Sequence, residues 1–264
     1  MPHLRVSKIL PIVRWRSALW LALAMVPLPG AVAPAAGPAT VDAGRLVTAP
    51  SATQAAPLAQ AVPPLPPTHA NFGGEAPSAD ARRVADWAVA SGDSAGLPFV
   101  IIDKRRARLF VFEGSGRLRG ASTALLGLAH GDDSVPGIGS RKLATIRPEE
   151  RTTPAGRFVA ALGRDFHQDI LWIDYDAALS LHRVVTGNPG DHRLARLKST
   201  ALADKRISYG CINVPVAFYN GVVLAAFTGT HGIVYILPEQ RTLEEVFRPL
   251  QTWAPPPAPA PGAR

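Results

Sequence analysis

Arg206-Ile207-Ser208-Tyr209-Gly210-Cys211-Ile212-Asn213-Val214-Pro215 contains the single cysteine of the chain. A short polar run, Ser208-Tyr209-Gly210, delivers the thiol, and an apolar stretch from Val214 to Phe218 follows it. A glycine just before a reactive side chain permits a tight backbone approach that a Cβ would block. A thiol is a useful nucleophile only when a nearby base or positive charge lowers its pKa. Left without one, a lone cysteine is commonly an inert apolar filler. A partner base therefore decides how Cys211 is read. His182, in Ala178-Leu179-Ser180-Leu181-His182-Arg183, is the best placed, because it ends an apolar run. His192, in the turn-rich Gly187-Asn188-Pro189-Gly190-Asp191-His192-Arg193, is the alternative base.

These segments resemble the L,D-transpeptidase catalytic domain of the YkuD type, a family of bacterial cell-wall enzymes. The family signature is an early histidine at a strand end, then Ser/Thr-His-Gly-Cys-hydrophobic-Asn. Ser208 to Asn213 fits at five of six positions, with Tyr209 where the family has histidine. Thr153-Pro154-Ala155-Gly156-Arg157-Phe158 is similar to the family's Thr-Pro-x-Gly turn entering a core strand. The resemblance covers residues 98 to 238. It implies a mainly β fold, a sandwich or barrel, with a helix after the cysteine.

It also implies acyl transfer on peptidoglycan stem peptides through a Cys211 thioester. His182 is then the general base and acid, and the Arg183 backbone carbonyl its orienting partner. The backbone at Gly210 and Cys211 supplies oxyanion donors. Ser208 and Asn213 either organise the nucleophile loop or cap the following helix. Tyr209 donates and accepts through its hydroxyl and fills a ring-like volume, but cannot become a cation near neutral pH. No cofactor and no metal are implied. An amine acceptor gives L,D-transpeptidation, and water gives an L,D-carboxypeptidase. A catalytically silent peptidoglycan-binding protein is the remaining class.

Composition sets outer bounds. The 264 residues suit one core domain with appendages or two small domains, and 47% hydrophobic residues permit a sizeable core. Lys and Arg number 28 against 20 Asp and Glu, a formal charge of +8 that favours anionic partners such as a cell wall. Zinc-finger spacing, a glycine-rich phosphate loop and a basic-aromatic module are all missing from the sequence, which argues against nucleic acid. Nothing in the sequence implies an obligate protein partner. One cysteine excludes an intrachain disulfide and a thiolate-rich zinc site.

Residues 1–33 read as a signal peptide. Arg5, Lys8, Arg14 and Arg16 precede a short apolar core, Ser17 to Val26, and small residues follow Pro29-Gly30. This predicts export to the periplasm of a Gram-negative-type bacterium, with a membrane tether if the segment stays uncleaved. Residues 34–77 form an Ala/Pro-rich linker, including Pro63-Pro64-Leu65-Pro66-Pro67. Residues 78–97 are a helical lead-in, in which Ser78 caps a helix to about Ala90 that docks through Trp87.

Strands are expected at Phe99–Ile102, Arg108–Glu113, a third ending near Leu126, Arg157–Leu162, Ile170–Tyr175, Ala178–Val185 and Ile233–Leu237. Asp103 to Arg106 reads as a charged turn, and Gly127 to Pro148 as a polar surface loop. Lys142, Arg147 and Arg151 bring positive charge near a groove. The long interval from 183 to 207 has helical rhythm over Leu194 to Asp204 and acts as a lid or carries the base. Val216 to Phe227 reads as a helix. Residues 239–264 are expected to hold a short helix, Arg241 to Leu250, and a disordered proline-rich tail.

Overall fold

The computed structural model describes residues 69–165 and 168–255. The signal peptide, linker residues 34–68 and tail residues 256–264 lie outside the described residues, whereas 69–77, expected to be linker, pack on the domain through buried Ala70 and Phe72.

The strands are β1 (Phe99–Asp103), β2 (Arg108–Phe112), β3 (Leu118–Thr123), β4 (Leu126–Gly127), β5 (Gly156–Asp165), β6 (Gln168–Asp174), β7 (Leu179–Arg183), β8 (Arg206–Ser208), β9 (Ile212–Val214) and β10 (His231–Ile236). Eight of them form one mixed sheet in the order β3-β2-β1-β10-β5-β6-β7-β9. Two pairings are parallel, β1 with β10 and β7 with β9. Strands β4 and β8 make a separate parallel pair. The chain leaving edge strand β3 then bridges the opposite edge, Leu125 to Asn213 of β9. That bridge nearly closes the sheet into a barrel, as the mainly β expectation required.

Period-2 alternation explains the long apolar runs. In β1, Val100 and Ile102 enter one core while Phe99 and Ile101 enter a second, on the other face. Strands β2 and β10 divide the same way: Leu109, Val111, Val234 and Ile236 against Phe110, Phe112, Ile233 and Tyr235. A strand covered on both faces reads as continuous hydrophobicity rather than alternation. Each fully buried side chain of this size contributes about 1.5–3 kcal/mol.

A helix covers each core. Helix α1 (Ala79–Ala90) is capped by Ser78, whose hydroxyl oxygen accepts from the Ala81 N–H at 3.1 Å. It buries Val84 and Trp87 in the second core, where the Trp87 ring meets Tyr235 edge-on at 5.9 Å. Leu243, Phe247 and Leu250 complete that core, so the segment after residue 238 packs on the same sheet as α1. The first core is closed by Tyr219, Val223 and Phe227 of the post-cysteine helix. That helix runs as α turns at Val216–Phe218 and Leu224–Phe227 with a π-helical segment, Tyr219–Val223, between them. Gly221 lies within the π segment.

Several expectations need adjustment. The third strand stops at Thr123, because Leu125 turns away to bridge Asn213. Strand β7 starts at Leu179, after a turn that leaves Ala178 at φ +49°. The charged turn and the polar loop are not wholly solvated. Lys104 and Asp132 are buried, and the Lys104 Nζ donates to Asp132 Oδ1 at 2.7 Å. The interval 183–207 holds helix α2 (Arg193–Lys198) and a 3-10 turn at Leu202–Lys205. Leu197 anchors it beside Leu125 and Val184.

Candidate active site

The alternation that fills the first core also builds the site. Leu171 and Ile173 of β6 and Leu179 and Leu181 of β7 point into the core. Their neighbours Ile170, Trp172, Ser180 and His182 therefore face the other way, and all four line one open cavity of about 580 Å³. Cys211, Tyr209 and Ser208 line it as well, with Arg193 from α2 and Leu143 from the loop before β5.

Parallel pairing of β7 with β9 sets Leu181 opposite Ile212 and His182 opposite Asn213. Cys211, immediately before β9, thus falls beside the exposed face of β7. Its half-buried thiol donates to the Ala178 carbonyl at 3.3 Å, and the Ser180 hydroxyl donates to Sγ at 3.5 Å. His182 Nδ1 lies 2.7 Å from the Arg183 carbonyl oxygen. A carbonyl can only accept, so Nδ1 carries the hydrogen and Nε2 is left to take a proton.

The thiol and the imidazole shift each other's pKa. Burial pushes the Cys211 thiol up, but the His182 imidazole and then Ser180 outweigh it and hold the pKa below the ordinary value. Burial likewise pulls His182 down, and its interaction with Cys211 and the Arg183 carbonyl raises it overall. Both shifts favour a thiolate beside an imidazolium.

The loop around the thiol is held from several sides. Ser208 Oγ donates to the Cys211 carbonyl at 2.6 Å and accepts from the Gly210 N–H at 3.1 Å. Asn213 Nδ2 also donates to the Cys211 carbonyl, at 3.2 Å. Ser208 and Asn213 are thus loop organisers rather than helix caps; Pro215 precedes the helix and makes no side-chain cap bond. Gly210 sits at φ +135°, where a Cβ would lie 2.7 Å from the Thr152 carbonyl oxygen, so glycine is required there. The Tyr209 ring lies under the Arg151 guanidinium, 4.0 Å from carbon to ring centre. The Arg183 side chain turns away from the cavity, to Asn220 at 2.7 Å and the Asp169 carbonyl at 3.0 Å.

His192, the alternative base, is not brought to the thiol. It is exposed, at φ +50° before α2, and lines a different hollow with Asn188 and Leu194. Among the described residues, no group of three or more His, Cys, Asp or Glu side chains is arranged to hold a metal ion.

No family model and no curated protein matches the chain. Solved structures do. An L,D-transpeptidase from Xylanimonas cellulosilytica is 17% identical over 54% of this chain and 61% of that one, with a TM-score of 0.33. The C442S mutant of an Enterococcus faecium L,D-transpeptidase is also 17% identical, over 53% of this chain and 49% of the other, at 0.30. A fused Zn-dependent amidase/peptidase/peptidoglycan-binding domain protein from Clostridium acetobutylicum is 18% identical over 55% and 53%, at 0.31. The chain spans about half to three-fifths of the length of these structures. Likeness at this level adds nothing to what the site's own geometry carries.

Ser180 and Arg193 are among the lining residues that the sequence does not single out. Ser180 reads as filler between two leucines, yet it stands two residues from His182 and so shares its face. Arg193 is one of five basic residues between 193 and 206, and no local signal distinguishes it.

Proposed function

We propose that this chain is a cysteine acyl-transferase that remodels peptidoglycan by L,D-transpeptidation of stem tetrapeptides. The observation that carries the reading is the His182 tautomer: Nδ1 is tied to the Arg183 carbonyl beside a thiol whose pKa is lowered. Cys211 Sγ attacks the carbonyl that joins an L-centre to the terminal D-residue, forming the C–S bond. The C–N bond breaks, and His182 passes its proton to the leaving amine. An acceptor amine then attacks the thioester, loses a proton to His182 and expels the thiolate. The Cys211 N–H is the oxyanion donor in both steps.

The basic n-region and apolar core before residue 27 support export to the periplasm, where stem peptides occur. The formal charge of +8 supports attraction to an anionic wall.

The test is incubation of the purified full chain with disaccharide-tetrapeptide muropeptides, with products read by liquid chromatography and mass spectrometry beside Cys211→Ala. Cross-linked dimers that have lost the terminal D-residue are expected. Trimmed monomers alone would make the protein an L,D-carboxypeptidase. No Cys211-dependent product would leave a silent peptidoglycan-binding protein or a different acyl substrate.

A further inference from the structure

Arg193 is built into the cavity wall, not tethered loosely at its rim. Its Nε donates to Asp191 Oδ2 at 2.8 Å, and its Nη1 donates to Asn213 Oδ1 at 3.0 Å, with the side chain 14% exposed. Its Nη2 has no acceptor among the described residues. Asn213 is the register partner of His182 and also donates to the Cys211 carbonyl. The guanidinium is therefore fixed on the His182 side of the thiol, and its charge opposes protonation of His182.

That position has a chemical consequence for the acyl-transfer reading, on which the inference rests. The leaving amine must lie at His182 to collect its proton. In a terminal residue the free α-carboxylate is one carbon from that nitrogen. The carboxylate is thereby carried toward the same wall as Arg193.

We propose that Arg193 recognises the free C-terminal α-carboxylate of the residue that leaves, and so restricts attack to chain ends. A planar guanidinium with an unused edge suits a carboxylate in a way that a lysine point charge does not. Internal peptide bonds, with an amide in place of the carboxylate, leave that edge unanswered.

The test has two arms on the full chain. The first needs only the nucleophile: rates of Cys211 alkylation by anionic iodoacetate and neutral iodoacetamide, each taken across a pH range so that thiolate fraction cancels. The iodoacetate-to-iodoacetamide ratio is expected to fall roughly tenfold in Arg193→Gln, the worth of one charge-assisted hydrogen bond, with Arg193→Lys between. A purely structural loss would slow both reagents alike and leave the ratio unchanged, which would overturn the proposal. The second arm compares tetrapeptide stems with free and amidated termini. Wild type is expected to show a higher KM for the amide, and Arg193→Gln to show no difference. Equal KM values in wild type would overturn the proposal. Turnover of neither peptide would count against the stem-peptide reading, while the alkylation ratio would still decide whether Arg193 recognises anions.

Discussion

The Thr153 hydroxyl donates to the Gly210 carbonyl oxygen at 2.7 Å while its oxygen accepts from the Gly127 N–H at 2.8 Å. Thr153 is fully buried, and its own carbonyl accepts from Lys104 Nζ at 2.8 Å. A trans peptide points its N–H opposite its C=O. Holding the Gly210 carbonyl on Thr153 thus fixes the direction of the Cys211 N–H. The Thr-Pro-Ala-Gly turn holds the Cys211 loop from 57 residues away.

Thr153→Val removes both bonds at nearly constant volume and strands a buried N–H and a buried C=O. The expected cost is about 1–3 kcal/mol in denaturant unfolding. Loss of the fixed peptide plane should also lower kcat about tenfold, part of the 10²–10³ that a lost oxyanion donor costs. Thr153→Ser keeps the hydroxyl and should recover most of both. A serine variant as impaired as the valine variant would show that the hydroxyl is not what matters.

The thiol–imidazole pair predicts a pH profile. Cys211 has a lowered pKa, so its alkylation rate should persist below the ordinary thiol range near 8.5 and fall only at more acidic pH. His182 has a raised pKa, so steps needing its proton should fail only as pH climbs through that raised value. Removing the hydroxyl in Ser180→Ala should move the acid limb of the iodoacetamide profile upward by on the order of one pH unit. An unmoved limb would assign Ser180 to packing alone.

Asp132 predicts the acid stability. Burial pushes its carboxyl up, but the Lys104 ammonium and the N–H groups of Arg241, Glu239 and Gln240 outweigh this and hold its pKa far below the usual range. A depressed folded pKa means its contribution is full above the unfolded carboxylate value and is lost as pH falls through the folded one. Stability should therefore decline progressively below about pH 5. Asp132→Asn leaves the buried Lys104 without its nearest counter-charge, at a cost of about 3–5 kcal/mol at neutral pH, and should flatten the acid decline. An unchanged acid slope by thermal melts would contradict this.

Tyr209 contacts Arg151 through its ring face. Tyr209→Phe preserves that face and should match wild type within about 0.5 kcal/mol and in turnover. Tyr209→Ala should lose about 1–2 kcal/mol, the worth of a partly desolvated cation–π contact. Tyr209→His keeps a ring and should retain turnover. If phenylalanine fails where histidine succeeds, the hydroxyl or a titrating ring nitrogen is required.

Local patterns carried much of the fold and the central pair. Strand runs such as Phe99–Ile102 were legible because both faces are buried, and Cys211 and His182 because each stands in a distinctive segment. Sheet order was not legible: nothing near Leu125 announces that it bridges Asn213, 88 residues on. Nothing local in the charged turn or the polar loop marks Lys104 and Asp132 as buried, since burial of an ion pair depends on partners distant in sequence. Arg193 needed the crossover between β7 and β9 to be folded before its place beside Asn213 could be seen. His192, the alternative base from a turn-rich segment, is exposed and lines a different hollow.

His182 lies on β7, and Cys211 immediately precedes β9, the neighbouring strand that runs in the same direction. A parallel pair cannot be joined by a tight turn; the chain must travel back before it pairs again. Residues 184–205 make that return trip, and their length is not dictated by the His182–Cys211 geometry. The pairing of β7 with β9 consequently leaves the length of that return path free, while Leu197 and Arg193 tie its middle to Leu125, Val184 and Asn213. In this chain it carries Arg193, so a stretch whose length the strand pairing leaves open also supplies part of the cavity wall.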